Sequence, residues 1–168
     1  VLTDNSHFDT LIISYNSAGE ILDLLEDLRR LAPAEKVVVI DNASQDATAE
    51  LVRSRFPEVM LVENPNNVGY ARAVNQGFDL CSSDFVFLLN PDIRVLDLGF
   101  HPAMLDCIQQ NDAIAAVGPL QFVRQGAASR LNFTWSYWTP RAFAIYLAHA
   151  FHLKRAFGRG IRIAILRR

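Results

Sequence analysis

The chain predicts an α/β fold built on a mostly parallel sheet, and three observations carry that expectation. Four short apolar runs, Thr10–Ser14, Val37–Ile40, Val59–Val62 and Phe85–Leu89, are separated by segments with helical spacing. Strands alternating with helices imply right-handed crossovers and a parallel sheet. The run Val37-Val38-Val39-Ile40 is continuously β-branched, as in a strand buried on both faces. Each run also leads into a polar cluster: Tyr15-Asn16, Asp41-Asn42-Ala43-Ser44-Gln45-Asp46, the stretch Asn64 to Tyr70, and Asn90-Pro91-Asp92. Ligands of open parallel sheets sit at the carboxyl ends of the strands, so four such ends point to one site.

The helices follow from the spacing of apolar residues. After the first run, Ile21, Leu24, Leu25, Leu28 and Leu31 recur at helical intervals, and Ser17 with Glu20 has capping-box spacing. Asp46 is placed to cap a short helix that reaches Phe56 and is closed by Pro57. A third helix covers about Tyr70–Cys81, with Ala71, Val74, Phe78 and Cys81 inward. Beyond Asp92 the spacing predicts a helix over about Pro102–Gln110, strands near Ile114–Val117 and Leu120–Val123, and a turn at Gln125-Gly126-Ala127-Ala128. Residues 129–140 are aromatic and irregular, Arg141 to about Phe157 reads as helical, and Gly158 and Gly160 break the pattern before a basic end. Two parts result: 1–125, the α/β unit, and 126–168, an aromatic and basic segment.

A chain of 168 residues, half of them hydrophobic, fits one globular domain with a real core. The net charge of −2 hides an asymmetry: 18 acidic residues fall before Arg141 and none after it, whereas residues 141–168 carry seven Lys/Arg. Such a tail suits an anionic surface or a solvated helix. Cys81 and Cys107 each sit in an apolar helical context, which predicts buried free thiols in a reducing, cytoplasmic setting. No apolar run reaches the ~18 residues of a bilayer span, the polar start Val1–Asp9 lacks signal-peptide character, and a start at Val1 suggests a trimmed chain.

Several residues could carry chemistry. Asp92, on a loop stiffened by Pro91, offers one hard oxygen ligand of the kind Mg²⁺ or Mn²⁺ takes when phosphates and water complete its shell; the alternative is a cap on the following turn. Asp41 can accept from a ribose hydroxyl or base N–H, and can equally close an Asx-turn over Asn42–Ser44. Tyr15 and Asn16 sit where a base could stack or hydrogen-bond, or where a tyrosine merely lids the core. Arg72 lies in the first turn of the third helix, against the helix dipole, which points to a bound diphosphate; its alternative is a surface bridge to Glu63 or Asp41. Asn67, Asn75 and Gln76 are weaker candidates, because asparagine populates turns. The four histidines have no partner spacing for a metal or a triad. Dinucleotide, P-loop and nucleophile-elbow motifs are missing, and without a glycine-rich phosphate loop after the first strand a nucleotidyltransferase is disfavoured.

Taken together, Ile12 to Ser17, Val39 to Asp46, Glu63 to Gly77 and Phe87 to Asp92 resemble family 2 glycosyltransferases of the GT-A fold, particularly the rhamnosyltransferase-like branch. The resemblance spans about residues 10–95 in order. It implies a nucleotide-diphosphate sugar donor, dTDP- or UDP-linked, a bacterial surface-glycan or lipid-linked acceptor, inverting transfer, and Mg²⁺ or Mn²⁺ as cofactor. Tyr15, Asn16 and Asp41 would hold base and ribose, Arg72 would lie near the base or diphosphate, and Asn67 and Asn90 would join the donor contacts. Asn90-Pro91-Asp92 stands in place of the family's Asp-x-Asp, with Asp92 as metal ligand; Asn90 keeps hydrogen bonding but loses charge.

The departure lies further on. Members of the family carry an acidic general base in a second half, yet no Asp or Glu follows Asp112, so no catalytic residue can be assigned. Three expectations remain open: a fragment that stops before the acceptor half, a site completed by another subunit, or a non-catalytic sugar-nucleotide-binding or scaffold domain. The tail at 141–168 would contact the inner face of an anionic membrane, or pack on the acceptor half or a second copy as a homodimer. A nucleic-acid partner is not expected.

Overall fold

A computed structural model describes residues 8–96, 98, 100–110, 116–118, 121–125, 128–132 and 162–166. The elements are β1 (Phe8–Ser14), α1 (Glu20–Leu31), β2 (Val37–Asp41), α2 (Thr48–Arg55), β3 (Met60–Glu63), α3 (Tyr70–Leu80), β4 (Phe85–Leu89), α4 (Phe100–Gln110), β5 (Ala116–Val117), β6 (Gln121–Gln125), β7 (Ala128–Asn132) and β8 (Arg162–Leu166). The main sheet has the order β3-β2-β1-β4-β8-β5. Its paired strands all run parallel. β6 and β7 form a separate antiparallel pair in which Gln125 faces Ala128, the hairpin that the expected turn at 125–128 requires.

The chain steps outward from β1 to β2 to β3, then returns across them through α3 to place β4 on the other side of β1. The strand order therefore reverses between β1 and β4, and such a switch point leaves a crevice at the carboxyl ends of the strands. Alternation along the strands divides the core into two layers. Leu11, Ile13, Val38, Ile40, Val86 and Leu88 meet Ala73, Val74 and Phe78 of α3. Phe8, Ile12, Val39, Phe87 and Leu89 meet Ile21, Leu24, Leu25 and Leu28 of α1, Val52 and Phe56 around α2, and Met104 of α4.

At the amino end of the sheet a buried carboxylate joins β1 to the α3–β4 connection. Asp9 accepts from the backbone N–H of Ser82 (2.6 Å) and Ser83 (3.2 Å) and from Ser83 Oγ (2.8 Å). Burial pushes its pKa up, but these hydrogen bonds and the charge of Lys36 outweigh it and hold the carboxyl below its ordinary value. Lys36 in turn donates to Leu80 O at 2.7 Å.

Several boundaries differ from expectation for identifiable reasons. The capping box of Ser17 and Glu20 does not form: α1 starts at Glu20 behind Gly19, so the two residues are not in cap register, and Ser17 Oγ turns back to Tyr15 O. Asp46 serves the start of α2 from one residue outside the cap position, accepting from Thr48 N at 3.0 Å and also from Thr48 Oγ1. Cys81 and Cys107 are free but half-buried rather than buried; burial, with Asp9 nearby, pushes the Cys81 thiol up to about 12, which keeps it protonated and unreactive. β7 occupies part of the stretch read as irregular, and β8 is a strand where only a basic end was expected. The aromatic residues 133–140, the expected helix over 141–157 and the glycines at 158 and 160 lie outside the described residues. Among the described residues no helix is long and apolar enough to cross a membrane.

α3 lies against β1 at Gly77. A Cβ there would come within 2.2 Å of Leu11 Cδ1 and 2.7 Å of Cδ2, and Leu11 is fully enclosed. Gly77→Ala should therefore destabilise the fold by about 1–3 kcal/mol through overpacking, despite the better helix propensity of alanine. Urea unfolding measures this; an unchanged midpoint would mean that Leu11 rotates away at no cost.

Candidate functional site

The carboxyl ends of β1, β2 and β3 and the loops after them are joined by a dense set of hydrogen bonds. Asn42 is the centre of it. Its backbone N–H donates to Ser14 O (2.8 Å), its Oδ1 accepts from Asn64 Nδ2 (3.1 Å) and Val68 N (3.0 Å), and its Nδ2 donates to Asn67 Oδ1 (2.8 Å). Asn67 Oδ1 also accepts from Gly69 N at 2.9 Å. Gly69 has φ 84 and ψ 151, a region essentially reserved for glycine, and from it α3 starts with its amides toward the crevice. Sequence reasoning did not single out Asn42, although an asparagine just after a continuous apolar strand, with Asn64, Asn66 and Asn67 together after the following strand, was a signal for it.

A second set joins the loop after β1 to the loop after β2. Asn16 N donates to Ser44 Oγ (2.8 Å), and Asn16 Oδ1 accepts from Gln45 N (2.7 Å). Ser44 donates its N–H to Asp41 Oδ2 (3.0 Å) and its hydroxyl to Asp41 Oδ1, which is the expected Asx-turn. Ala18 N donates to Asp46 Oδ2 at 3.1 Å and Ser17 N to Thr48 Oγ1 at 3.0 Å. Among the described residues Asn16 at φ 51 and Ala43 at φ 69 are the non-glycine residues with positive φ, so the site's loops hold backbone strain of ~1–3 kcal/mol each.

Tyr15, Asn16, Asp41 and Asn67 are thus brought together at one end of the sheet. Tyr15 is about half exposed, whereas Asp41 is buried, and the amide oxygens of Asn16 and Asn67 are already engaged by backbone donors. Asn90 and Asp92, both half-buried, reach the same edge because Leu89 of β4 stands beside Ile12 of β1. Arg72 is exposed in the first turn of α3, which holds no acidic residue. Neither alternative partner takes it: Glu63 pairs with Arg53, and among the described residues no ion pair reaches Arg72. Ser14 Oγ and Asn75 Oδ1 are enclosed without a hydrogen-bond partner among the described residues.

The loop that carries Asp92 is fastened at its far side. Ile93 and Val95 insert into the layer with α1, while Arg94 Nε and Nη2 fork onto Asp27 Oδ2 (2.7 Å) and Oδ1 (3.0 Å). Val95 N donates to Asp27 Oδ2 at 3.1 Å, and Arg94 Nη1 reaches Asp23 at 3.2 Å. The Asp27 side chain is only 6% exposed. The Arg94 guanidinium holds its carboxyl below the ordinary range, against the upward push of burial. The sequence hint was an aspartate on the apolar stripe of α1, between Leu24 and Leu28.

No group of three or more His, Cys, Asp or Glu placed for a metal occurs among the described residues. Asp92 alone fits a cation that shares its remaining ligands with a diphosphate and water, the usual mode for Mg²⁺.

The profile described as Glycosyl transferase family 2 matches residues 9–166. The poly-beta-1,6-N-acetyl-D-glucosamine synthase of Staphylococcus aureus (strain MSSA476) is 29% identical over 110 residues, 64% of this chain and 26% of that protein. Its Staphylococcus epidermidis counterpart is 27% identical over the same length. The chain spans about a quarter of the length of these curated relatives. Of the solved structures, S. aureus TarS 1-349 in complex with UDP-GlcNAc is similar at TM-score 0.60 and 19% identity, covering 74% of this chain and 37% of that one. The mannosyltransferase PcManGT from Pyrobaculum calidifontis in complex with GDP-Man and Mn2+ gives 0.59 and 20%, covering 68% and 36%. These likenesses show the fold, the GT-A type expected from the sequence.

The clamp yields a pH prediction. A carboxyl whose folded pKa is depressed adds stability that is complete above its unfolded value of ~4 and is lost as pH falls through the folded value. Asp27→Asn should lower the melting midpoint at pH 7 by roughly 2–4 °C, and its gap to the parent should narrow between pH 5 and 3. A gap constant across that range would show that Asp27 is not the charged partner of Arg94.

Proposed function

The chain belongs to glycosyl transferase family 2, and from that membership we propose that it binds a nucleotide-diphosphate sugar at the carboxyl ends of β1, β2 and β4 and passes the sugar to an acceptor hydroxyl of a bacterial glycan. The observation that carries the reading is the switch point between β1 and β4, where Asp41 at the end of β2 and the loops bearing Tyr15 and Asp92 share the carboxyl edge of the sheet with the start of α3.

In this reading Tyr15 and Asn16 border the base and Asp41, its carboxylate oriented by Ser44, accepts from the ribose. Asn67, through its amide N–H, and Asn90 complete the donor contacts. Arg72 faces the diphosphate, where its charge and the α3 amides stabilise the negative charge that grows on the leaving group. Asp92 would hold Mg²⁺ or Mn²⁺, which when bound supplies further positive charge to the leaving diphosphate. The acceptor oxygen attacks the anomeric carbon from the opposite face, with inversion, as the sequence resemblance implies. Two neighbours support the donor class, one complexed with UDP-GlcNAc and one with GDP-Man and Mn2+. The rhamnosyl branch and a uridine or thymidine base rest on the sequence motifs alone. For the basic tail we retain contact with an anionic lipid surface, at the cytoplasmic face, or packing between copies.

A non-catalytic donor-binding role is the second reading. Sugar transfer to an acceptor, rather than donor binding alone, separates the two.

Calorimetry with UDP, dTDP and GDP sugars, with and without Mn²⁺, tests the proposal. Asp92→Ala should abolish the metal-dependent part of donor binding and leave the melting midpoint near the parent's; donor and Mn²⁺ binding like the parent's would remove Asp92 from the metal site. Arg72→Ala should weaken nucleoside-diphosphate binding by about 1–3 kcal/mol, the loss of a charge-assisted hydrogen bond, and affect the free nucleoside less. Equal losses would move Arg72 to the base.

A further inference from the structure

An aspartate on the apolar stripe of α1 has no packing rationale. A buried ion pair is, as a rule, no more stabilising than hydrophobic residues of similar volume, and the other buried positions of the stripe, Leu24, Leu25 and Leu28, show the kind of residue that would fill the place of Asp27. What a carboxylate provides instead is direction. Its two oxygens receive the fork of Arg94 at 2.7 and 3.0 Å and the Val95 N–H at 3.1 Å. Three donors on two consecutive residues fix both the position and the rotation of the chain there. Ile93 and Val95, buried on either side of Arg94, prevent the segment from sliding. Asp92 is the next residue along, and on its other side the chain enters β4, which is held by β1 through the pairs from Phe8–Phe85 to Ile12–Leu89. The tripeptide Asn90-Pro91-Asp92 is therefore suspended between two rigid anchors, one of them supplied by the second turn of α1.

We propose that Asp27 and Arg94 are positioning residues for Asp92: the α1 carboxylate and the guanidinium fork set where the Asp92 carboxylate meets the diphosphate and its divalent cation. The inference rests on the donor-site reading of Asp92. A displacement of about 1 Å at a reacting or ligating group is enough to cost large factors in function, so a clamp on its neighbours matters beyond its share of stability.

The test uses the 168-residue chain and UDP, titrated with Mn²⁺ and again with a chelator; dTDP or GDP replaces UDP if the parent prefers it. Arg94→Lys keeps the charge and the aliphatic stem but cannot fork to both oxygens. The expected result is a roughly tenfold loss of Mn²⁺-dependent affinity, of the order that small displacements produce, with Mn²⁺-free binding within about twofold and the melting midpoint close to the parent's. A changed Mn²⁺ electron paramagnetic resonance spectrum of the UDP complex should accompany it. Losses equal with and without Mn²⁺ and parallel to the melting midpoint would mean a purely structural clamp and overturn the proposal, as would unchanged Mn²⁺-dependent affinity. If Arg94→Lys does not fold, Asp27→Asn, which keeps an oxygen for Val95 N–H, is held to the same binding outcomes with and without Mn²⁺, measured at a temperature where its melting midpoint, lower by the roughly 2–4 °C given above, leaves it fully folded. Asp92→Ala separates the two layers of the argument. If it binds UDP and Mn²⁺ like the parent, or if the parent binds none of the three diphosphates, the reading of Asp92 has failed; if only the clamp variants bind like the parent, the positioning role has failed.

Discussion

The site end of this molecule depends on one buried amide. Asn42 directly follows β2 and faces the β3–α3 connection, which has no regular structure of its own, and a buried amide left without partners is costly. The solution uses both polar atoms of the side chain: the amide oxygen accepts from Asn64 and Val68, and the amide nitrogen donates to Asn67. Because all three partners lie on the β3–α3 connection, that connection can adopt only one course over the end of β2. The positive φ of Ala43 next to it and of Gly69 beyond it are consequences. The first is tolerated because Asp41 and Asn42 are both anchored, the second because glycine carries no Cβ.

The carboxylates divide by role along the same lines. Asp9, at the amino end of the sheet, and Asp27, beneath the Asp92 loop, are consumed by internal donors and serve the scaffold. Asp41 is intermediate: Ser44 occupies one direction on each of its oxygens, which aims the group while leaving lone pairs for a ligand. Arg72 stands apart, a cation on the positive end of a helix with no ion pair among the described residues. A group in that position is destabilised unless an anion arrives, and the same charge is what a diphosphate requires.

How much of this was legible in the sequence follows the range of the interactions involved. The first four strands were readable because each is a continuous apolar run closed by a polar cluster, and β4 was placed to the residue at Phe85–Leu89. The hairpin at 125–128 was readable from its glycine. The capping box failed because spacing alone does not say where a helix begins, and here it begins at Glu20. The Asn42 network and the Asp27–Arg94 clamp join residues 25 and 67 positions apart, so no local window contains both partners. β8 was missed for the same reason: Arg162–Leu166 is unremarkable until β4 and β5 are seen to leave a place between them.

That last strand bears on how the protein is made. β8 pairs with Phe85–Leu89 along its whole length, yet the ribosome delivers it long after β4 has emerged. At ~5–20 residues per second, the apolar edge Phe85-Val86-Phe87-Leu88-Leu89 waits several seconds with one side of its backbone unpaired. An open edge of that composition is a template for pairing with another nascent chain. The interval between synthesis of β4 and arrival of β8 is therefore a window in which this edge is open to mispairing, whatever the stability of the finished sheet.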